Sequence, residues 1–474
     1  MELQILSHAG LKVESAGVQL LCDPWLIGSA YWRSWWNYPP VPRPLVDSLK
    51  PDFIALSHIH WDHFHGPSLR LFPSDTPVIV PYDRYDRMVK DLAAVGMTNV
   101  IELKNGESHE LAPGFRLTSY HFSPSVTDSA LVIEAEGITI LNANDAKLAG
   151  GPLERLLRAH PKIDFALRSH SSANAHANFH LIGEADEIQD DVTRYLKSFS
   201  LFMKRVRPRY AIPFASNNCL LHDDSFAYNR FVQTPLALQE YFTRFAAENH
   251  LDTKIQIMVP GDRWTTDGGM QVAEHDWFTN RDAHLAAYRT RVQPTMARQA
   301  ALEARVKVSE AQMQRFVGDL HAKMPALMRR RVDYDVLLVS KSDRGTDGFA
   351  VNLGTGQVRS VAEADFAAFD RRIEFPALVL LQSLKMNMFG HAAICRRVNF
   401  FSTRAEQGRL WRFLTMLDWS ESEMFPLSRH FSKRSLAAAL PRWREGLLYA
   451  NVAVQAARGQ PLTKIEENLL SAEN

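Results

Sequence analysis

Cysteine is scarce in this sequence: Cys22, Cys219 and Cys395 are the only three in 474 residues. They lie far apart, which excludes a disulfide framework and fits a reducing compartment, so the expected location is cytoplasmic. No Cys-x-His pair occurs and only Cys219, with His222, has the Cys-x-x-His spacing, so the chain lacks the two paired ligand sets of a Rieske-type iron–sulfur cluster. Long apolar runs are also missing, and Met1-Glu2-Leu3-Gln4 does not open a basic-then-apolar leader; no membrane span is expected. Nor is there an excess of one charge. With 54 Lys and Arg against 53 Asp and Glu, no global field draws the chain to nucleic acid or to an anionic membrane, and partners must be argued locally.

What the chain does have is apolar content, 46%, enough for two or three separate cores. The run Phe53-Ile54-Ala55-Leu56 ends at Ser57 and is followed at once by His58-Ile59-His60-Trp61-Asp62-His63. An apolar run that stops at such a cluster predicts a buried strand whose exit loop carries imidazoles and a carboxylate, a metal site rather than a histidine-rich surface loop. His58 and His60 can turn toward one ion, while Asp62 and His63 face a second beside it. His65 lies one residue beyond the pattern and reads as a supporting or surface histidine.

Around this stretch the pattern is mainly β. Leu3–Leu6, Leu11–Glu14 and Val18–Cys22, separated by Gly10 and Gly17, predict a meander; Asp23 at its end is positioned to hydrogen-bond a metal-bound histidine, and His8 sits in its first turn. Ala130–Ala135 and Ile138–Leu141 predict a hairpin across Glu136-Gly137. Between Trp25 and Pro44 the chain carries four tryptophans and two tyrosines, which either close over a site or cap one end of a core. His176 and His180 stand at i and i+4, and a polar loop suits them better than an accessory metal site. Cys219 is expected as a small apolar filler.

The Ser-His-x-His-x-Asp-His motif resembles the signature of the metallo-β-lactamase superfamily. The stretch Asp23-Pro24-Trp25-Leu26-Ile27-Gly28 through Trp35-Trp36 is similar to the CMP-N-acetylneuraminate hydroxylases within it, and the similarity runs from about residue 3 to about residue 265. The resemblance implies an α/β fold, the αββα sandwich, over residues 1–265. A helical connector over 266–330 and an α+β accessory domain over 331–474 are expected to follow. It also implies a ligand set: His58, His60 and His121 on one ion, Asp62, His63 and His222 on the other, and Asp145 between them, with Asp62 and Asp145 catalytic. Two metal ions are expected, iron before zinc or manganese. The implied activity is that of an oxygenase acting on a polar, anionic small molecule, with electrons from a separate protein since the chain lacks cluster cysteines. The alternative is a metal-dependent hydrolase of a phosphodiester, lactone or amide. Trp35, Trp36, Lys147 and Arg168 are the expected substrate contacts.

Overall fold

The computed structural model describes residues 1–122, 128–171, 175–184, 193–457 and 462–471. The predicted meander forms: Glu2–Ile5, Leu11–Ser15 and Val18–Cys22 pair antiparallel, and Phe53–Ala55 then joins Val18–Cys22 in parallel. They belong to an eight-stranded sheet running from Gly269–Gln271 at one edge to Val100–Leu103 at the other. A seven-stranded sheet, from Lys254–Ile255 to Glu107–Ala112, includes the predicted hairpin as Ser129–Ala135 and Ile138–Asn144.

Strand alternation explains how the two sheets meet. Leu3, Ile5, Val13 and Leu20 on the first sheet share one apolar cluster with Phe115, Ile133, Ile140 and Phe165 on the second. The opposite faces bury themselves under helices. Ile54 and Val78 pack with Met88 and Leu92 of the helix Arg87–Val95, which ends at Gly96 with φ +95°. Leu141 and Ala166 pack with Phe199 and Phe242 of the helices Thr193–Val206 and Pro235–Glu248. The result is helix, sheet, sheet, helix: the expected αββα sandwich.

The C-terminal half builds a six-stranded sheet in the order Phe179–Leu181, Asn399–Ser402, Arg371–Pro376, Val336–Ser342, Gly345–Asn352, Gln357–Val361. Its edge strand Phe179–Leu181 comes from the N-terminal half, so the segments 1–265 and 331–474 are interleaved rather than joined end to end. His180 lies in that strand with its ring stacked on Phe401, and not on a helical face. The side chain of His176 lies outside the described residues. The helices Lys433–Ala439, Gly446–Ala457 and Leu462–Ser471 return to the sandwich, with Ile465 and Leu470 buried there. Among the described residues no helix is long and apolar enough to cross a membrane.

Candidate metal centre

The motif loop starts where the parallel strand Phe53–Ala55 leaves the sheet. Asp23, fully buried and in the left-handed region at φ +43°, accepts hydrogen bonds from the Ser57 backbone N–H at 2.8 Å and the Ser57 hydroxyl at 2.6 Å. Its Oδ2 also takes the Nδ1 proton of His63 at 2.8 Å, the supporting contact expected of it. Ser57 Oγ in turn lies 2.9 Å from His58 Nδ1. One buried carboxylate therefore orients two imidazoles, directly and through Ser57, and leaves both Nε2 atoms turned to the same space. Asp145 reaches that space from the end of Ile138–Asn144, where Asn144 in the left-handed region bonds the N–H groups of Asp145 and Ala146 through its side chain at 2.7 and 3.1 Å.

The donors gather in two trios, each with its ligand atoms within 4.8 Å of one another: His58, His60 and Asp145, and His8, Asp62 and His63. Asp145 Oδ1 lies between them, 3.7 Å from His58 Nε2 and 3.6 Å from His63 Nε2. These three atoms are buried without a hydrogen-bond partner. Neither ring nitrogen of His8 has one, although Nε2 approaches Asp62 Oδ2 to 3.0 Å. Buried polar atoms left unsatisfied are costly, and a convergent set of nitrogens and carboxylate oxygens is what divalent metal ions satisfy. The residues fit metal ions well.

Electrostatics point the same way. Burial alone would lower the His63 imidazole, but Asp145, Asp62 and Asp23 carry it up to about 10, so negative charge calls for a cation here. Burial would raise Asp145, yet His58 and His63 bring it down to about 2. Burial, with Asp145 nearby, pushes the Asp128 carboxyl up to about 8. Asp128 was not visible as a site residue in the sequence. Its Oδ1 is buried without a hydrogen-bond partner, 3.8 Å from His58 Nδ1, and the loop that carries it has no motif spacing to announce it.

Of the expected ligands, His58, His60, Asp62, His63 and Asp145 come together, and His121 and His222 do not join either trio. His121 stands at a strand end as expected and lines the same cavity, but its Nε2 faces the Leu103 carbonyl at 3.0 Å. His222 is drawn toward Asp224 and Glu303, with Nδ1 3.4 Å from the first carboxylate and Nε2 4.0 Å from the second. His8, read from the sequence as a turn residue near the metals, occupies the second trio instead.

The surroundings reveal further residues. Tyr31, Trp32 and Arg33 are three consecutive left-handed residues at φ +49°, +54° and +66°, a conformation bulky side chains rarely adopt. It brings the buried Tyr31 hydroxyl to 2.6 Å from Asp62 Oδ1, where it donates. His391, from the C-terminal half, sets its ring 5.3 Å from that of His60, donates toward the Ile59 carbonyl and is held by Glu421.

A cavity of about 830 Å³ opens over His58, His60 and Asp128. Arg84, Arg87, Lys104, Lys147, Arg155, Arg442 and Arg444 line it against Asp83, Asp128, Asp418, Glu421 and Glu445, a net positive wall. Lys147 is the one expected substrate contact among these residues. Arg168 is fully buried, paired with Glu466 and donating to the Ala146 carbonyl at 3.2 Å. Trp35 is buried edge-on against His8 and Tyr31, and Trp36 bonds the Arg33 carbonyl and packs against Tyr288. The aromatic stretch therefore caps a core. Cys219 packs beside Trp36 and Tyr38, as a filler should.

The chain is similar in part to known proteins. The chain is 28% identical over 158 residues to the cytidine monophosphate-N-acetylneuraminic acid hydroxylase of Mus musculus, covering 32% of this chain and 27% of that protein. To the hydroxylase of the same name from Gorilla gorilla gorilla it is 26% identical over 226 residues, 45% of this chain and 37% of that one. The chain thus matches well under half the length of either relative. A solved metallo hydrolase from Ignicoccus hospitalis is 17% identical with a TM-score of 0.38, over 55% of this chain and 96% of that chain. Residues 2–147 match the sequence model of the β-lactamase superfamily domain. With its two packed sheets and the histidine cluster at a strand exit, this part of the chain is a metallo-β-lactamase-fold domain.

Proposed function

We propose that the chain is a dinuclear-metal oxygenase acting on a polar, anionic small molecule. The observation that carries the reading is the composition of the two trios: each combines two histidines with one carboxylate, and Asp145 lies between them. Two histidines and a carboxylate on one face of an ion, with the remaining positions open, is the donor set of non-haem iron(II) oxygenases. The partial similarity to named hydroxylases supports the same direction.

Iron ions held by these residues would supply dioxygen activation, and the electrons would come from a separate protein. The chain's own residues hold and orient. His58, His60 and Asp145 form one half of the ligand set, His8, Asp62 and His63 the other. Asp23 and Ser57 fix the imidazole tautomers, and the Tyr31 hydroxyl fixes Asp62. Lys147 and the arginines of the cavity wall attract and orient an anion beside the histidines.

The alternative is a hydrolase, favoured by one observation. All three cysteines are buried and unable to hold a cluster, so an oxidative reaction needs an outside reductant and a hydrolytic one does not. Elemental analysis of anaerobically purified protein separates the two. We expect two iron ions per chain, with one or both lost in Asp145→Ala. Zinc in both positions, with no oxygen consumption under reductant, would transfer the assignment to the hydrolase. Lys147→Ala should weaken inhibition by simple phosphates or carboxylates roughly tenfold, the value of one charge-assisted contact.

A further inference from the structure

The C-terminal strap that closes one side of the metal cavity is built inside out. Over Lys433–Ala439, Leu440–Glu445 and the start of Gly446–Ala457, the charged Arg442 and Glu445 point inward and are buried. Arg442 donates to the His121 carbonyl at 3.0 Å, and Glu445 pairs with both Arg442 and Arg155. The apolar residues of the same segment face out: Leu440 is 62% exposed, Trp443 69% and Leu447 84%. With Leu436 they stand four, three and four residues apart along two short helices and the kinked turn between them, and Phe431, 75% exposed, precedes them in the chain. An exposed apolar patch of this kind signals something that covers it.

Charge and position say what does. The exposed Lys433 and Arg444 stand among these apolar residues, and the Arg444 guanidinium lies over the Trp443 ring at 5.4 Å. Leucines and aromatic rings bordered by cations, on short helices joined at a kink, are the composition of a segment that lies in the headgroup region of an anionic bilayer. Pro441, Trp443 and Arg444 also line the cavity, so the strap sits at the mouth of the metal site.

We propose that residues 427–447 dock on an anionic lipid bilayer and present the cavity mouth to it, so that the substrate is a membrane-held amphiphile with an anionic headgroup. The docking stands on the strap alone, and only the substrate class rests on the reading of the cavity given above.

The test is sedimentation of the full chain with large vesicles of phosphatidylcholine, with and without phosphatidylserine. Binding should require phosphatidylserine, weaken with added salt, and fall by at least ~tenfold in Trp443→Ser/Leu447→Ser, since each side chain contributes its transfer from water. Leu302→Ser, which removes an exposed leucine of the helix Arg281–Glu303 and not of the strap, should bind as the parent does. His60→Ala should lose metal yet still bind vesicles, so a failure of the metal reading would be separable from a failure of docking. Absence of binding to either vesicle would overturn the proposal. So would a vesicle-free dimer that the same double substitution dissolves, because a second copy of the chain would then own the surface.

Discussion

Asp23 is the residue on which the geometry of the metal centre turns, and its replacement by asparagine separates the two halves of the site. The substitution keeps volume, but an amide has one acceptor where the carboxylate has two. If the amide oxygen keeps the Ser57 backbone contact now at 2.8 Å on Oδ1, an N–H group takes the place of Oδ2, where the Ser57 hydroxyl can turn to accept it but His63 Nδ1, which now donates at 2.8 Å, cannot. One charge-assisted hydrogen bond, worth about 1.5–3 kcal/mol, is lost from the imidazole of the His8, Asp62 and His63 trio. Loss of such an outer partner typically lowers metal affinity about 10–100-fold, or about 1.4–2.7 kcal/mol, so the two estimates agree. The His58 side should change much less, because Ser57 Oγ still orients His58 Nδ1 from 2.9 Å.

Ser57→Ala gives the reciprocal case. It removes the 2.9 Å link to His58 and a longer 3.3 Å approach to His63 Nδ1, and leaves the direct 2.8 Å contact between Asp23 and His63 in place. Anaerobic metal titration against a competing chelator should therefore resolve one weakened ion in each variant, on opposite sides of Asp145. If Asp23→Asn holds both ions with parental affinity, or if Ser57→Ala weakens the His63 ion more than Asp23→Asn does, the assignment of Asp23 is wrong.

Two further outcomes follow from the same geometry. His8→Ala should lower metal content because it takes a nitrogen from the second trio, whereas His222→Ala should leave it unchanged, as that ring faces Asp224 and Glu303; elemental analysis of the two variants decides between them. Arg168→Ala strands the buried carboxylate of Glu466, so it should cost about 3–5 kcal/mol and lower Tm by several degrees, while the double replacement with Glu466→Leu recovers part of the loss. An unchanged Tm with weakened anion binding would return Arg168 to a substrate role.

The sandwich and the centre of the site were legible because their signals are local. Alternation fixes the meander, Glu136-Gly137 fixes the hairpin, and the spacing of His58, His60, Asp62 and His63 fixes a strand exit whatever the rest of the chain does. Asp128 was not legible as a site residue, nor His8 as more than a turn residue near the metals, since nothing within a few positions of either says that folding brings its side chain into the ligand set. Arg168 and His222 are the more instructive cases. Each lies at the strand-end region where the site was expected, and each is taken up by partners from much later in the chain: Glu466 for Arg168, and Glu303 with Arg397 around His222. A sequence reading credits an isolated charge near a metal loop to the substrate because it cannot see a counter-charge three hundred residues away.

The same later segments explain why the cavity has its present wall. Arg155 and Arg442 share Glu445, Arg84 bonds Ser435, Arg434 is held by Glu102, and His391 abuts His60 from the far half of the chain. The sandwich alone would leave the motif loop open on the side where His60 and Trp61 face, since Trp61 packs against Trp32 and His391 together. The C-terminal half is thus a structural part of the site. Substrate selection must be sought in the residues it contributes, as well as in those of the metal motif.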